Sequence, residues 1–212
     1  MSTPTSGRET RTATGELPAE LEGSIAVDGV PSTPTLDDAT LVVRAAEGDV
    51  TAFEVLLQRY QTPMYRLAVR MLVDRTDAED VVQEVFLTAW RRLPEVRDGA
   101  ALSGWLYRTT TNRCLNVLRA RRPRAEIDLD LTVSTIAAGE PARAAETAEQ
   151  ITALTLALQQ LTPEQRAAWL LRELHGRSYA EIAATLGTSV PAVRGRIARS
   201  RAELAEAMQP WR

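Results

Sequence analysis

The chain has 212 residues, 44% of them apolar, and a formal net charge of −3. That apolar share can build packed cores and excludes a wholly disordered chain, and the length allows one or two domains. One cysteine (Cys114) and one histidine (His175) exclude a disulfide framework and a Cys/His zinc site, and all 25 basic residues are arginine, so every cation is a planar fork.

No run approaches the roughly 18 apolar residues of a membrane helix. The N-terminus lacks a basic-then-apolar signal pattern. No membrane insertion and a cytoplasmic location are expected.

Residues 1–36 are rich in Thr, Ser, Pro, Gly and Glu, with two Arg against five acids. No helical or strand period is sustained, so a disordered extension is expected. Residues 37–124 are helical throughout. Asp37 and Asp38 open a short helix ending near Gly48. A second pattern over 51–73 has apolar residues at Phe53, Leu56, Leu57, Tyr60, Met64, Leu67 and Met71, and Pro63 is expected to split or kink it. Thr76 with Glu79 reads as a capping box for the next helix.

That third helix has two faces. Ala78, Val82, Val85, Phe86, Ala89 and Leu93 form the apolar one; Asp80, Gln83, Glu84, Leu87 and Arg91 lie opposite. A leucine amid acids suggests a docking surface, with a lone surface leucine as the plain alternative.

After the loop PEVRDGAA comes LSGWLYRTTTNRCLNVLRARRPR. Leu106, Tyr107, Thr110, Cys114, Val117 and Leu118 face inward. Trp105, Arg108, Thr109, Asn112, Arg113, Asn116 and Arg119 face outward. Residues 100–124 hold six arginines and no acid. An outward tryptophan among amides and arginines suits single-stranded nucleic acid: the ring stacks a base and the arginines hold phosphates. The alternative is a Trp105 packed on its neighbours with solvated arginines around it.

Residues 125–150 carry six acids against one arginine and read as a linker, with a helix starting near Pro141. The segment is either an ordinary solvated linker or an acidic strand able to occupy a partner's basic channel. Residues 151–212 are helical and net +3. Thr162, Pro163 and Gln165 mark a helix start, and His175 before Gly176 its end. Ser178 with Glu181 is a capping box, Gly187 a left-handed stop, and Ser189 with Pro191 the start of a further helix. Ile182, Leu186, Val190, Val193, Ile197 and Leu204 point inward, the pattern of a helix-turn-helix. Ala192, Gly195, Arg199 and Ala202, flanked by Arg194 and Arg196, form a surface whose small residues let the backbone approach DNA closely. An αα-hairpin with a solvated basic face is the plain reading of this stretch.

There are no paired catalytic carboxylates, nucleophile–histidine pair, P-loop or metal cluster, so no enzyme, cofactor or metal is expected.

DAEDVVQEVFLTAWRRL, WLYRTTTNRCLNVLRARR and LTPEQRAAWLLRELHGRSYAEIAATLGTSVPAVRGRIARSRAEL, in that order, resemble the extracytoplasmic-function sigma factors of the bacterial sigma-70 family. The resemblance implies an all-α protein with two small helical domains, at 37–124 (region two) and 151–212 (region four), joined by the acidic linker 125–150. It implies binding to core RNA polymerase and direction of that enzyme to promoters. Asp80, Gln83, Glu84, Leu87 and Arg91 match the docking helix for the coiled coil of the largest subunit, and region four would meet the flap of the second subunit. The loop 94–101 and the face Trp105, Arg108, Asn112, Arg113, Asn116 and Arg119 match the part that captures a flipped base and holds melted strand. Ser189, Ala192, Arg194, Gly195, Arg196 and Arg199 match the reader of the distant promoter element. The linker resembles the segment threaded toward the RNA exit path, and an anti-sigma factor is an expected partner. The sequence departs from the pattern at DGAA (98–101), where larger residues are common, and at Asn116, where Asp is frequent. A helix-turn-helix regulator with an N-terminal dimerisation or sensor domain is the rival reading.

Overall fold

The computed structural model describes residues 36–96, 99–121 and 141–211. The expected N-terminal extension up to residue 35 and the linker up to residue 140 lie outside the described residues. Within the described residues all regular elements are helical: α1 (Asp38–Ala46), α2 (Val50–Leu72), α3 (Arg75–Arg92), α4 (Leu102–Arg121), α5 (Pro141–Gln160), α6 (Pro163–Glu173), α7 (Tyr179–Leu186) and α8 (Val190–Ala207), with short 3₁₀ turns at Leu93–Glu95, Gly99–Ala101 and Gln209–Trp211.

Carboxylates start the first three helices. Asp37 accepts from the Thr40 amide at 2.8 Å and Asp49 from the Ala52 amide at 3.1 Å. Hydrogen bonds from Thr40 hold the Asp37 carboxyl below its ordinary pKa; the Ala52 amide and then Arg44 do the same for Asp49. Helix α2 runs unbroken through Pro63, so of the expected split or kink the proline makes no split. An interior proline costs about 3 kcal/mol. Leu56, Met64, Leu67 and Met71 are all fully buried, and each such side chain contributes about 1.5–3 kcal/mol. Four of them outweigh one lost hydrogen bond.

Helix α2 ends at Val73, held at φ 61 in the left-handed region, unusual for a β-branched residue. The chain turns sharply there, and Asp74 becomes the cap of α3, accepting from the Asp77 amide at 3.0 Å. This corrects the expected Thr76–Glu79 box. The helix starts earlier than that box requires, so both residues lie inside it. Arg121 at the end of α4 fastens the corner, donating to the Leu72 carbonyl at 3.2 Å and to Asp74 at 3.1 Å, and also to Asp77.

The loop before α4 closes onto α1. A Cβ on Gly99 would stand 2.6 Å from the Ala39 Cα and 2.9 Å from its carbonyl oxygen. Packing against α1 therefore requires a residue without a side chain at this position.

In the second half, Thr162 and Gln165 form a reciprocal capping box for α6, and Ser178 and Glu181 do so for α7. Gly187 ends α7 at φ 59 and Ser189 caps α8 through the Ala192 amide. Ile182, Val193, Ile197 and Leu204 are buried between these helices, as a helix-turn-helix requires; Leu186 and Val190 are half-buried.

Residues from Leu36 onward form one compact unit. Helix α6 packs on α2 and α4, and α7 packs on α4. At this joint Arg166 is buried and donates to the carbonyls of Leu158, Gln159 and Met71. The Tyr107 hydroxyl lies 3.2 Å from His175 Nδ1, and the Arg177 guanidinium lies 3.9 Å over the Tyr107 ring. His175, expected only to end a helix, is thus part of the contact between the two halves.

Candidate nucleic-acid interface and docking groove

Three surfaces collect the residues singled out above. The first is the outer side of α8. Ala192 and Gly195 give it a low profile. Arg194 and Arg199 are exposed and Arg196 is half-buried. Serine 189 is committed to the helix cap, accepting at 3.3 Å from the Ala192 amide. Arg199 lies back over Gly195, with Nη1 3.6 Å from where a Cβ would stand. Tyr179, at the start of α7, takes Arg194 over its ring at 5.5 Å and Arg172 at 4.7 Å. Arg201 is spent on Glu173 at 2.7 Å. One terminal nitrogen of Arg196 is buried with no hydrogen-bond partner among the described residues.

The second surface is on α4. Trp105, Arg108, Thr109, Asn112, Arg113 and Asn116 line a depression of about 240 Å³. All of these were expected on one outward face. Trp105 is half-buried and leans on the core, so its ring both packs inward and borders the depression. The arginines are less free than their number implied. Arg113 pairs with Glu84 of α3 at 2.6 Å. Arg119 donates to Asn116 at 3.1 Å and lies 3.8 Å from Glu164 of α6. Arg121 holds the corner described above. On the inward side Cys114 is fully buried, and burial pushes its thiol up to about 12, which makes it inert.

The third surface is an apolar groove of about 690 Å³ between α2 and α3. Asp80, Gln83, Glu84, Leu87 and Arg91 are all exposed on α3. Gln83 and Leu87 border the groove; Asp80, Glu84 and Arg91 do not line it. Val50, Phe53, Leu57, Tyr65, Phe86 and Trp90 supply most of its wall. Phe53 and Trp90 pack with their ring planes tilted by 56° and their centroids 4.8 Å apart. Leu87 and Trp90 are 49% and 38% exposed, far more than a core position tolerates. Trp90 and Phe53 were not anticipated as site residues. Trp90 follows Leu87 at helical spacing, which is a usable signal; Phe53 had no such signal, because it reaches the groove from another helix. Val82, placed on the inward face, stands in the groove wall, and Val81 is buried instead.

No group of three His, Cys, Asp or Glu among the described residues could hold a metal, and no described helix is long and apolar enough to cross a membrane.

Residues 56–124 match the family Sigma-70 region 2, and residues 151–204 match Sigma-70, region 4. The RNA polymerase sigma-H factor of Pseudomonas aeruginosa is 37% identical over 185 residues, covering 82% of this chain and 94% of that protein. The ECF RNA polymerase sigma-E factor of Escherichia coli K12 is 37% identical over 187 residues, covering 82% of this chain and 96% of that protein. Among solved structures, CnrH in complex with the cytosolic domain of CnrY superposes with a TM-score of 0.61 at 29% identity, covering 82% of this chain and 97% of that one. The first helical module is therefore sigma region 2 and not a sensor or dimerisation domain. Two helical modules in this order, with a helix-turn-helix in the second, place the chain among the extracytoplasmic-function sigma factors of the sigma-70 family, non-enzymatic proteins that direct RNA polymerase to specific promoters.

Proposed function

We propose a division of labour among the three surfaces, with the modules bounded at 37–124 and 151–212. Helix α8 reads the distant promoter element as duplex. Arg194, Arg196 and Arg199 supply phosphate or guanine contacts, and Ala192 and Gly195 allow close approach beside the Ser189 cap. Helix α4 holds the melted strand. Trp105 offers a stacking face, Asn112 and Asn116 read base edges, and Arg108, Arg113 and Arg119 neutralise phosphates.

Helix α3 docks on core RNA polymerase at the coiled coil of its largest subunit, with region four against the flap of the second subunit. The observation that carries this assignment is the open apolar groove beside Leu87 and Trp90, with Glu79 in its wall and the exposed Asp80 and Glu84 on the same helix. Apolar patches of this kind mark protein contacts, and the acids on α3 suit a basic partner. A protein inhibitor of the anti-sigma class is a further proposed partner, supported by CnrH having been solved with the cytosolic domain of CnrY bound.

Transcription from fragmented genomic DNA of the host, with core polymerase plus the full chain, tests the scheme. Added chain should yield transcripts that share two upstream elements. Arg196→Ala should lose dependence on the distant element, at a cost of about 1–3 kcal/mol for a bidentate base contact. Glu84→Ala with Leu87→Ala should weaken core binding while leaving the fold intact. Unchanged start-site selection and core affinity in these variants would sink the assignment.

A further inference from the structure

The residues that line the α4 depression offer a base different chemistry. Trp105 brings a ring, Arg108 and Arg113 bring cations, and Thr109, Asn112 and Asn116 bring neutral hydrogen-bonding groups. Of the two amides, one is held. Arg119, three residues further along the same helix, donates from Nη1 to Asn116 Oδ1 at 3.1 Å. A different nitrogen of Arg119, Nη2, faces Glu164 at 3.8 Å, so that contact does not compete for the amide. Asn112 is exposed and bonds to no other described side chain.

A guanidinium carries five N–H donors and no acceptor, so an amide that meets it turns its oxygen inward to the contact. An isolated amide exchanges its oxygen and nitrogen by a half-turn, and the arginine removes that freedom from Asn116. The NH2 group of Asn116 is then turned away from Arg119 and bonds to no other described residue. The second lone pair of Oδ1 lies beside a cation, where an incoming N–H donor meets charge of its own sign. Residues three apart on a helix are neighbours on its surface, so this pairing is internal to α4 and independent of how other helices pack.

From this geometry we infer that Asn116 acts only as a donor and selects keto bases, guanine and thymine, over amino bases, adenine and cytosine, at its place on the held strand. The inference rests on the proposed assignment of α4 to melted strand. Guanine O6 and thymine O4 accept a hydrogen bond where adenine N6 and cytosine N4 carry donors. Opposite a keto oxygen the Asn116 NH2 forms a bond; opposite an amino group two donors confront each other and neither is satisfied. Arg119 is a positioning residue for this choice, because it acts through Asn116. Asn112, free to present either end of its amide, does not discriminate by this rule. One neutral hydrogen bond gained or lost corresponds to about 3–10-fold in affinity.

The test uses the full chain assembled with core polymerase, core polymerase alone as the blank, and two fluorescein-labelled single strands followed by anisotropy at pH 8. One is oligothymidine and the other oligo-5-methyldeoxycytidine. Their bases share shape and methyl group and differ at O4 against N4 and at the adjoining N3 proton. In a homopolymer every base that reaches Asn116 is the same, so the register of the strand is immaterial. The chain should favour oligothymidine by about 3–10-fold. Asn116→Asp, an acceptor only, should reverse the preference while weakening both complexes through repulsion of phosphate. Arg119→Met should weaken both and bring the ratio near one, and Arg119→Lys, still a donor only, should keep it. Changes in net charge or stability shift both strands together and leave the ratio alone. A ratio near one in the unmodified chain, or a ratio that survives both Asn116→Asp and Arg119→Met, would overturn the inference. Arg108→Gln removes an exposed cation from the same depression without touching either amide. If it weakens both complexes while the unmodified chain shows no preference, base selection by Asn116 is wrong and the strand-holding assignment stands. If it changes nothing and no preference is seen, the assignment falls and the selection with it.

Discussion

Replacing Arg166 by methionine probes the joint between the two modules. Arg166 is 6% exposed, and its guanidinium donates to Leu158 O at 2.8 Å, Gln159 O at 3.1 Å and Met71 O at 2.5 Å. These carbonyls belong to the last turns of α5 and α2, where helix dipoles place partial negative charge. Among the described residues no carboxylate pairs with it, so the two helix ends are its counterion. Charge-assisted hydrogen bonds contribute about 1.5–3 kcal/mol each, so three give a gross gain of about 4.5–9 kcal/mol. Against this, burial pulls the guanidinium down to about 10, a cost of about 3 kcal/mol for the charged form. Methionine keeps much of the stem's packing and leaves the carbonyls without a donor. A net loss of about 2–5 kcal/mol follows, because the contributions are not additive. Urea unfolding of the full chain, followed by circular dichroism, reads it as a lower midpoint. Arg166→Lys should fall between, since an ammonium cannot reach all three carbonyls as a fork does. A loss below about 0.5 kcal/mol in the methionine variant, the size of an ordinary surface change, would refute the reasoning.

Burial, and after it Arg70, Arg177 and Arg66, push the lone imidazole of His175 down to about 4. The unfolded chain takes up a proton near 6.5 and the folded one does not, so stability is complete above that pH and is lost as pH falls toward 4, by at most about 3 kcal/mol. With one histidine in the chain, an NMR titration gives a direct answer, and a midpoint near 6.5 would exclude the buried neutral state. Gly99→Ala drives a Cβ into the α1 backbone at Ala39 and should destabilise by about 1–3 kcal/mol; a neutral effect on thermal unfolding would mean the loop yields freely. Trp90→Ala should lower affinity for core polymerase by roughly tenfold or more, as interface tryptophans do. Its urea midpoint should move far less, and equal losses in both assays would assign the ring to stability instead of docking.

Features that depend on neighbours in the chain were legible in the sequence. Ser178, Glu181, Gly187 and Ser189 announce the helix-turn-helix because capping is a contact across three or four residues. The outward faces of α3, α4 and α8 followed from helical period alone, and the order of the motifs indicated the family. Even local rules failed where a tertiary turn intervened. The left-handed Val73 moved the cap of α3 to Asp74, and the burial of four large side chains carried α2 through Pro63.

What only the tertiary structure decided is where each side chain is spent. Composition counted Arg166, Arg113, Arg119 and Arg121 alike as positive charge. In the fold the first closes two helix ends, the last fastens a corner, and the other two are held by acids from α3 and α6. The docking groove likewise needs Phe53 and Trp90, which are far apart in the chain and meet only when α2 packs on α3. Periodicity assigns a residue to a face of its own helix, but its partner there is chosen by the packing of helices distant in sequence.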